Sequence, residues 1–419
     1  MIYDTISIFL IVGISIGLAY ALLMLAVLLR DRLFRRNSGR PQTSPAITVF
    51  KPLKGLDDSL AENLRSFFRL DYPRFELLFG VADAADPAVA VVRKLQAEHP
   101  QVESRLVISE RAAGLNPKVN NLANLCRRAQ YDVFVISDSN VLVRPGYLHD
   151  LICQLEKPGV GLVTSTIRAV GARSLGSALE NLHNNTFIAG SVHALKRIFQ
   201  INVTIGKSMC FRRETIRRIG GFEAFADYLA EDHLLGVAIR EQGMRVELTN
   251  ESIDSINRDW RVSMFWNRHL RWAMMRRHLN IGHFFAEILS NPVFFAVLLL
   301  VWRQDDFSGN LLIGTVTGKL ALDLAMAWTM GASRKLKHVM LSPIKDLMIA
   351  GLWLVPFFSR VINWRGNLML IGRNTTLSPI EGRLLWHYLP TFRKVSRAAA
   401  DAGRWTLDGT RRMLTRLGR

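Results

Sequence analysis

Three aspartates stand where apolar runs give way: Asp83 after Leu77–Val81, Asp138 after Val133–Ser137, and Asp232 at the opening of a helical run from Tyr228 to Gln242. One such aspartate alone is commonly a helix cap. Three in one region suit a bound metal or a sugar nucleotide. Asp138-Ser139-Asn140 sends out a carboxylate and an amide oxygen on alternate positions, the oxygen donors taken by Mg²⁺ or Mn²⁺ bridging a diphosphate. Farther along, Arg258 to Arg277 holds six arginines against one acid, and Arg268-His269-Leu270-Arg271-Trp272 puts two guanidinium groups on one helix face. Planar, permanently charged forks grip phosphate oxygens bidentately. The same pattern also serves an interfacial helix whose arginines snorkel to lipid headgroups. Lys118, at a helix start after Asn116-Pro117, is a candidate phosphate contact. His183, His193 and His233 have the chemistry to position an acceptor or phosphate, with a structural role as the alternative for each. Cys210, inside Ser208-Met209-Cys210-Phe211, reads as strand core.

The elements that must position these residues follow from periodicity. Ala46 to Phe50, Leu77 to Val81, Arg105 to Ile108 and Val133 to Ser137 are apolar and β-branched enough for buried strands. Asp57 to Arg69, Asp86 to Glu98 and Lys118 to Ala129 carry helical spacing. Asp57-Asp58-Ser59 and Asp86-Pro87 mark helix starts. Strand, helix, strand in alternation predicts an α/β domain with a mostly parallel sheet, whose ligands sit outside the carboxyl ends of the strands.

Composition places this domain at a membrane. Lys plus Arg number 54 and Asp plus Glu 35, for a net charge of +19, yet 49% of residues are hydrophobic and the mean hydropathy is positive. That pairing argues against a soluble nucleic-acid binder and for a lipid bilayer. Three cysteines without a CxxC exclude a disulfide scaffold and argue against structural zinc. Ile6 to Leu29 carries no charge and is long enough to span, predicting a signal anchor over 1–30 rather than a cleaved signal peptide. Arg30, Arg32, Arg35, Arg36 and Arg40, opposed by Asp31, favour a cytoplasmic collar.

Apolar character returns at about 284–302, 311–330 and 347–362, broken by Pro292, by Lys319 with Asp323, and by Pro356. Three crossings would put the chain's end outside, against the charge of Arg373 to Arg419, which holds ten basic residues and three acids. One segment is therefore expected to be re-entrant or interfacial. The end itself, with Trp386, Leu389, Phe392, Val395 and Trp405 among arginines, is either an amphipathic tail on an anionic leaflet or a solvated one. The expected division is an anchor at 1–30, a catalytic domain at 45–280, membrane or interfacial helices at 283–362 and a basic tail at 363–419.

In order, Lys51-Pro52-Leu53-Lys54-Gly55, Val81-Ala82-Asp83 with Asp86-Pro87, Lys118-Val119-Asn120-Asn121-Leu122, Asp138-Ser139-Asn140, Glu231-Asp232-His233 and Arg268-xx-Arg271-Trp272 resemble the ceramide glucosyltransferases. These are glycosyltransferase family 21, an inverting branch with the GT-A fold related to family 2. Asn202-Val203-Thr204, Gly206 to Arg212, Gly221-Phe222 through Asp232, and Trp364-Arg365-Gly366 extend the likeness. The resemblance implies that Asp83 holds the donor's uracil and that Asp138 lies near ribose, diphosphate and a Mg²⁺ or Mn²⁺ ion. Asp232 is then the general base, while Arg268, Arg271 and Trp272 grip the diphosphate and close the acceptor site. The Asp-Ser-Asn motif departs from the wider Asp-x-Asp pattern and leaves the metal to Asp138 alone.

The activity so implied is transfer of glucose from UDP-glucose to the primary hydroxyl of ceramide, with no nucleic-acid partner. A hopanoid acceptor, or UDP-GlcA, UDP-Gal or UDP-GlcNAc as donor, keeps the fold and changes the product. A processive polysaccharide synthase shares the arginine-tryptophan signature, and a non-catalytic basic membrane protein leaves the three aspartates without a role. The arginine-rich composition favours a bacterial inner membrane, with the catalytic domain facing the cytoplasm.

Overall fold

The computed structural model describes residues 2–34, 39, 41–201, 203–332, 335–364 and 367–380. Arg35, Arg36, Arg40, Asn202, Arg334, Arg365, Gly366 and the proposed amphipathic tail with Trp386 and Trp405 lie outside the described residues.

After a long apolar helix, α1 (Ile2–Leu33), the chain alternates as its periodicity predicts: β1 (Ile47–Pro52), α2 (Leu60–Phe68), β2 (Phe75–Val81), α3 (Ala88–Glu98), β3 (Ser104–Ile108), α4 (Pro117–Cys126) and β4 (Val133–Ser137). Next come β5 (Val141–Leu142), α5 (Tyr147–Leu155), β6 (Val160–Thr164), β7 (Ile167–Val170) and α6 (Leu175–His183). A π-helical turn at Asn184–Ile188 leads into α7 (Ala189–Ile198), followed by β8 (Ser208–Arg212), α8 (Arg213–Arg218), α9 (Glu231–Glu241), β9 (Arg245–Leu248), β10 (Ile253–Ile256) and α10 (Val262–Leu279).

The main sheet has seven strands in the order β3-β2-β1-β4-β8-β6-β9, and β3, β2, β1 and β4 are mutually parallel. β8 runs antiparallel to both of its neighbours. Both faces are covered, so the strands read as continuous apolar runs rather than alternating ones. In β1, Ile47 and Val49 point into the core under α2, α3 and α5, whereas Phe50 points into the core under α4 and α9. That period of two also buries Lys51 completely on the Ile47 side, beneath the ring of Phe67. Because the parallel strands share one direction, Pro52, Asp83 and Asp138 leave the sheet along the same edge.

One of the two marked helix starts is built differently from expectation. Asp86 caps α3, its Oδ1 accepting from the Ala88 N–H at 2.9 Å. Asp57 and Asp58 do not cap α2: Ser59 adopts a left-handed conformation (φ 58°) without a side-chain cap. Instead Asp57 accepts from the Ser139 hydroxyl, and Asp58 Oδ2 accepts from the N–H groups of Arg258 and Asp259 at 2.8 and 3.1 Å. The acids that looked like a cap thus fasten the Asp138 loop and the approach to α10.

Beyond α10 lie α11 (Ile281–Ile288), α12 (Pro292–Arg303), α13 (Asp306–Thr329), α14 (Leu336–Val339) and α15 (Ser342–Leu354). Three stretches, Tyr3–Leu33, Asp306–Thr329 and Leu336–Phe357, are long and apolar enough to cross a membrane. The pair α11 and α12 meets that test only as a unit bent by 62°. Pro292 opens α12 and Asn291 caps it, so the proline break read from sequence is a helix boundary. α1 packs against this group through Leu10, Ile14 and Leu28, joined to Phe295, Leu299 and Met326.

The chain then returns to the catalytic side. β11 (Val361–Trp364), β12 (Asn367–Ile371) and β13 (Leu377–Pro379) form an antiparallel sheet, so the segment after 362 does not begin as a tail. Ile362, Met369, Ile371 and Leu377 share a core with Leu229 and with Met274 of α10.

Gly80, in β2, sits under α4. Asn121 Nδ2 donates to the Gly80 carbonyl at 2.7 Å, and a Cβ at Gly80 would stand 1.8 Å from Asn121 Oδ1. Gly80→Ala therefore pushes α4 off the sheet and destabilises the protein by about 1–3 kcal/mol, read as a lower unfolding midpoint in detergent. Adding Asn121→Ala removes the clash and recovers most of the loss; no recovery in the double variant means that the contact is not what sets the spacing.

Candidate active site

The carboxyl edge of the sheet gathers an alternating set of charges. Asp138, just past β4, has Lys118 Nζ 3.1 Å from Oδ1 and Lys207 Nζ 3.8 Å from Oδ2. Lys51 Nζ donates to the Asp138 backbone carbonyl at 2.6 Å and to Ser137 Oγ at 3.2 Å. Lys118 reaches its place because Asn116 caps α4, accepting from the N–H groups of Lys118 and Val119, with Pro117 in the first turn. Its ammonium spans two elements, holding Glu231 Oε1 at 3.2 Å as well as Asp138 and donating to the Gly206 carbonyl at 3.2 Å.

Electrostatics divides the lysines. Burial would lower the Lys118 ammonium, but Asp138, Glu231 and Asp232 raise it above its usual range. Burial brings Lys207 down to about 8, with the Arg268 charge adding and Asp138, Asp57 and Glu180 opposing. Lys51, without any exposed surface, is pushed well below the usual ammonium range by burial. Burial would raise the Asp138 carboxyl, yet the charges of Lys118 and Lys207 outweigh it and hold the group at about 2. Glu231 goes the other way: burial lifts it to about 7 against the opposing charge of Lys118.

Asp232 opens α9 beside this cluster. Its Oδ2 accepts the Gly206 N–H at 2.8 Å and its Oδ1 accepts the His233 N–H at 2.8 Å. Two backbone donors thus fix the plane of the carboxylate while each oxygen keeps a free lone pair. Gly206 lies so close that a Cβ there would stand 2.5 Å from Asp232 Oδ2. The loop before α9 is held by the returning chain: Leu229 N–H donates to the Thr375 carbonyl at 2.9 Å, Ala230 N–H to Thr375 Oγ1 at 3.2 Å and Leu377 N–H to the Asp227 carbonyl at 2.7 Å.

On α10, Arg268 is already committed. Its guanidinium pairs with Glu180 Oε1 at 2.8 Å and lies between the rings of Trp260 and Trp272, 4.9 and 5.1 Å from their centroids. Glu180 is fully buried and also accepts from His269 Nε2 at 2.8 Å. Burial would raise its carboxyl, but Arg268 and His269 hold it at about 2. Arg271 lies over Trp364 of β11 at 5.8 Å. The signature helix is thereby pinned on one side by α6 and on the other by the returning sheet.

Asp138, Lys118 and Asp232 therefore converge, and Arg268 is close enough to influence Lys207. Asp83 stands apart, exposed at the end of β2, its Oδ1 accepting from the Ala85 N–H at 2.8 Å. β1 separates β2 from β4, which places Asp83 about 10 Å from the Asp138 edge at one strand spacing per step. Lys51, Lys207, Glu180 and Glu231 are members of the site that residue types and spacing did not single out. His193 Nδ1 binds Asp31 Oδ2 at 2.6 Å and ties α7 to α1, and Cys210 is buried in β8.

Among the described residues no group of three or more His, Cys, Asp and Glu side chains converges as a metal cage. Asp138 offers one carboxylate among lysines, and the Asn140 amide oxygen accepts from Lys207. That donor set fits a divalent ion only as one whose remaining ligands are phosphate oxygens brought by the substrate.

The chain is 31% identical over 235 residues to ceramide glucosyltransferase 1 of Caenorhabditis elegans, an overlap of 56% of this chain and 50% of that protein. It is 25% identical over 352 residues to the ceramide glucosyltransferase of Komagataella phaffii, covering 64% and 68% of the two chains. It spans about half the length of the two Caenorhabditis relatives that it matches. A solved mannosyltransferase from Pyrobaculum calidifontis, in complex with GDP-Man and Mn²⁺, aligns over 82% of this chain and 98% of its own, with a TM-score of 0.47 and 17% identity. The model of glycosyl transferase family 21 matches residues 9–377, most of α1, the α/β domain and the returning sheet together, and the chain belongs to that family.

Proposed function

We propose that this chain is a membrane-anchored, inverting glucosyltransferase that moves glucose from UDP-glucose to the primary hydroxyl of ceramide. The observation that carries the reading is the Asp232 carboxylate, oriented by two backbone N–H groups, next to a lysine-ringed Asp138 on the ligand-binding edge of a parallel sheet. The names of the Caenorhabditis and Komagataella relatives support the choice of substrates.

In the proposed reaction the lipid hydroxyl attacks the anomeric carbon from the face opposite the diphosphate. The new O–C bond forms as the C–O bond to phosphate breaks, its electron pair leaving with UDP, and the hydroxyl proton passes to Asp232. One displacement inverts the anomeric centre, so an α-linked donor gives a β-linked product. UDP leaves with increased charge, which Lys118, Lys207 and Arg271 offset from fixed positions. A Mg²⁺ or Mn²⁺ ion accompanying the donor would take Asp138 as its protein ligand and add to that neutralisation. Asp83, at the exposed end of β2, is assigned to the uracil, while Arg268 with Trp272 shapes the wall facing the acceptor. The arginine collar supports a cytoplasmic-facing domain, and the excess of arginine over lysine supports a bacterial inner membrane.

Asp232→Asn keeps the shape and removes the base. It lowers the rate of glucosylceramide formation in membranes by a factor of at least 10², measured with labelled UDP-glucose, while UDP affinity stays within about twofold. An unchanged rate overturns the mechanism.

Removing a lysine separates binding from base chemistry. Lys207→Ala raises the KM for UDP-glucose by about tenfold, the size of one lost charged hydrogen bond, and Lys207→Arg restores most of it. A KM unchanged in both variants removes Lys207 from the donor site.

A further inference from the structure

Charged side chains in apolar helices mark functional places by default, since each is costly there unless paired. α13 carries Lys319 and Asp323, and α15 carries Lys345 and Asp346, all four buried. Lys319 Nζ bonds both oxygens of Asp323 at 2.6 Å, and Lys345 Nζ lies 3.4 Å from Asp323 Oδ2 and 3.0 Å from Asp346 Oδ1. Nearby Glu287 of α11 is matched by a bidentate contact from Arg276, 2.7 Å at each oxygen. Three cations face three anions, and the group is neutral as a whole.

Of these, Lys319, Asp323, Asp346 and Glu287 line a partly open cleft between α1, the π-helical turn, the α11–α12 bend, α13 and α15. Its remaining wall joins the apolar Met24, Phe187, Met326, Ile349 and Trp353 to the polar His183, Ser290 and Asn291. Two polar atoms in it have no hydrogen-bond partner, His183 Nδ1 and Asp346 Oδ2. Both residues are more than nine-tenths buried, at 4% and 7% exposure, and Lys319 stands 3.5 Å from Asp346 Oδ2, beyond a good hydrogen bond. Burial, with the His269 ring and the cations Lys345, Arg276 and Lys319 adding, drives the His183 imidazole well below its usual range. It is therefore uncharged at neutral pH and leaves the charge balance intact.

The cleft is connected to the catalytic side. The His183 ring packs edge-on against His269 with centroids 4.6 Å apart. His269 bonds Glu180, which holds Arg268. A group seated at His183 is thus two side chains from the carboxylate that positions the signature arginine.

We propose that this cleft is a subsite for the uncharged polar region of a membrane lipid, one carrying hydroxyl and amide N–H donors. The lipid donates to Asp346 Oδ2 and bonds His183 Nδ1, while its chains lie along Phe187, Ile349 and Trp353. A phosphate headgroup fits poorly, because the open oxygen is a carboxylate and the local cations are already paired. A cationic headgroup meets Lys319 and Lys345. The subsite rests on the reading of the chain as a lipid glycosyltransferase and names where that lipid's polar region docks.

The test uses the full chain in phosphatidylcholine nanodiscs with three photoreactive lipids: a diazirine ceramide, a diazirine diacylglycerol and a diazirine phosphatidic acid. The ceramide probe is expected to label peptides containing 183–187 and 346–353 most strongly. Ile349→Trp, which fills the cleft, cuts that labelling at least fivefold and raises the KM for ceramide about tenfold, with the KM for UDP-glucose unchanged. Asp346→Asn, which keeps the volume, raises the ceramide KM by a similar factor and serves alone should Ile349→Trp not fold.

Stronger labelling by phosphatidic acid, or unchanged labelling and ceramide KM in the folded variants, overturns the subsite. Labelling as expected without glucose transfer to ceramide overturns the proposed reaction and leaves the subsite standing. Transfer without cleft labelling does the reverse.

Discussion

The Lys118 ammonium is the tie on which the catalytic geometry depends. It holds Asp138 at the end of β4 and Glu231 at the start of α9, two elements far apart in sequence, and it donates to the carbonyl of Gly206, whose N–H orients Asp232. One cation thus sets the spacing between Asp138 and Asp232. The arrangement is stable because each carboxylate gains a partner when buried: breaking such a buried pair costs about 3–5 kcal/mol, far more than an exposed one. Against burial, the same ammonium lowers the Asp138 carboxyl, whereas at Glu231 burial prevails over it and raises the group.

A second constraint comes from beyond the membrane helices. β11 to β13 return to the catalytic domain and bond the 227–230 loop, while their core side chains pack on α10. The loop before Asp232, α10 and the span-length helices are therefore mechanically joined through a sheet of three short strands. A displacement of α10 cannot leave the 227–230 loop untouched, because Leu229 and Met274 share that core. This packing gives a physical reason for a family match that runs through the membrane segments to residue 377 instead of ending with the α/β domain.

Much of the fold was legible because its signals are local. β1 to β4 and α2 to α4 follow from runs of apolar residues and 3.6-residue spacing, and Asp138 and Asp232 stand at strand and helix ends as the alternation requires. What escaped is nonlocal. Glu180 lies inside Leu175–His183, a helix without any catalytic spacing, and it acquires its role only when α10 packs alongside. Lys51 and Lys207 look like ordinary basic residues until the sheet turns them toward Asp138, Lys51 to its backbone carbonyl and Lys207 to its carboxylate. Lys319 with Asp323 looked like a break in a span because their partners Lys345 and Asp346 belong to another helix. The Asp57-Asp58 pair misled in the opposite sense, since its side chains serve Ser139 and the approach to α10 rather than their own helix.

The buried charges between α13 and α15 bear on how the helices are arranged. Hydrophobic residues of similar volume would stabilise such a contact at least as well, because desolvating ions offsets most of their attraction. What a closed ionic set supplies instead is register. Apolar helices in lipid slide and rotate with little penalty, whereas Lys319 bonded to both oxygens of Asp323, and Lys345 bridging Asp323 and Asp346, are satisfied in one relative placement. A shift of one turn, about 5.4 Å, would strand at least two charges in an apolar setting. The two helices are therefore held at a fixed rotation against each other, and through Asn291, which donates to the Asp346 carbonyl at 2.7 Å, the bend between α11 and α12 is held with them. Since α11 follows directly on α10, the ionic set fixes where the signature helix ends relative to the span-length helices. The polar residues that weaken the apolar character of these segments are the same residues that fix how the span-length helices sit against the end of α10.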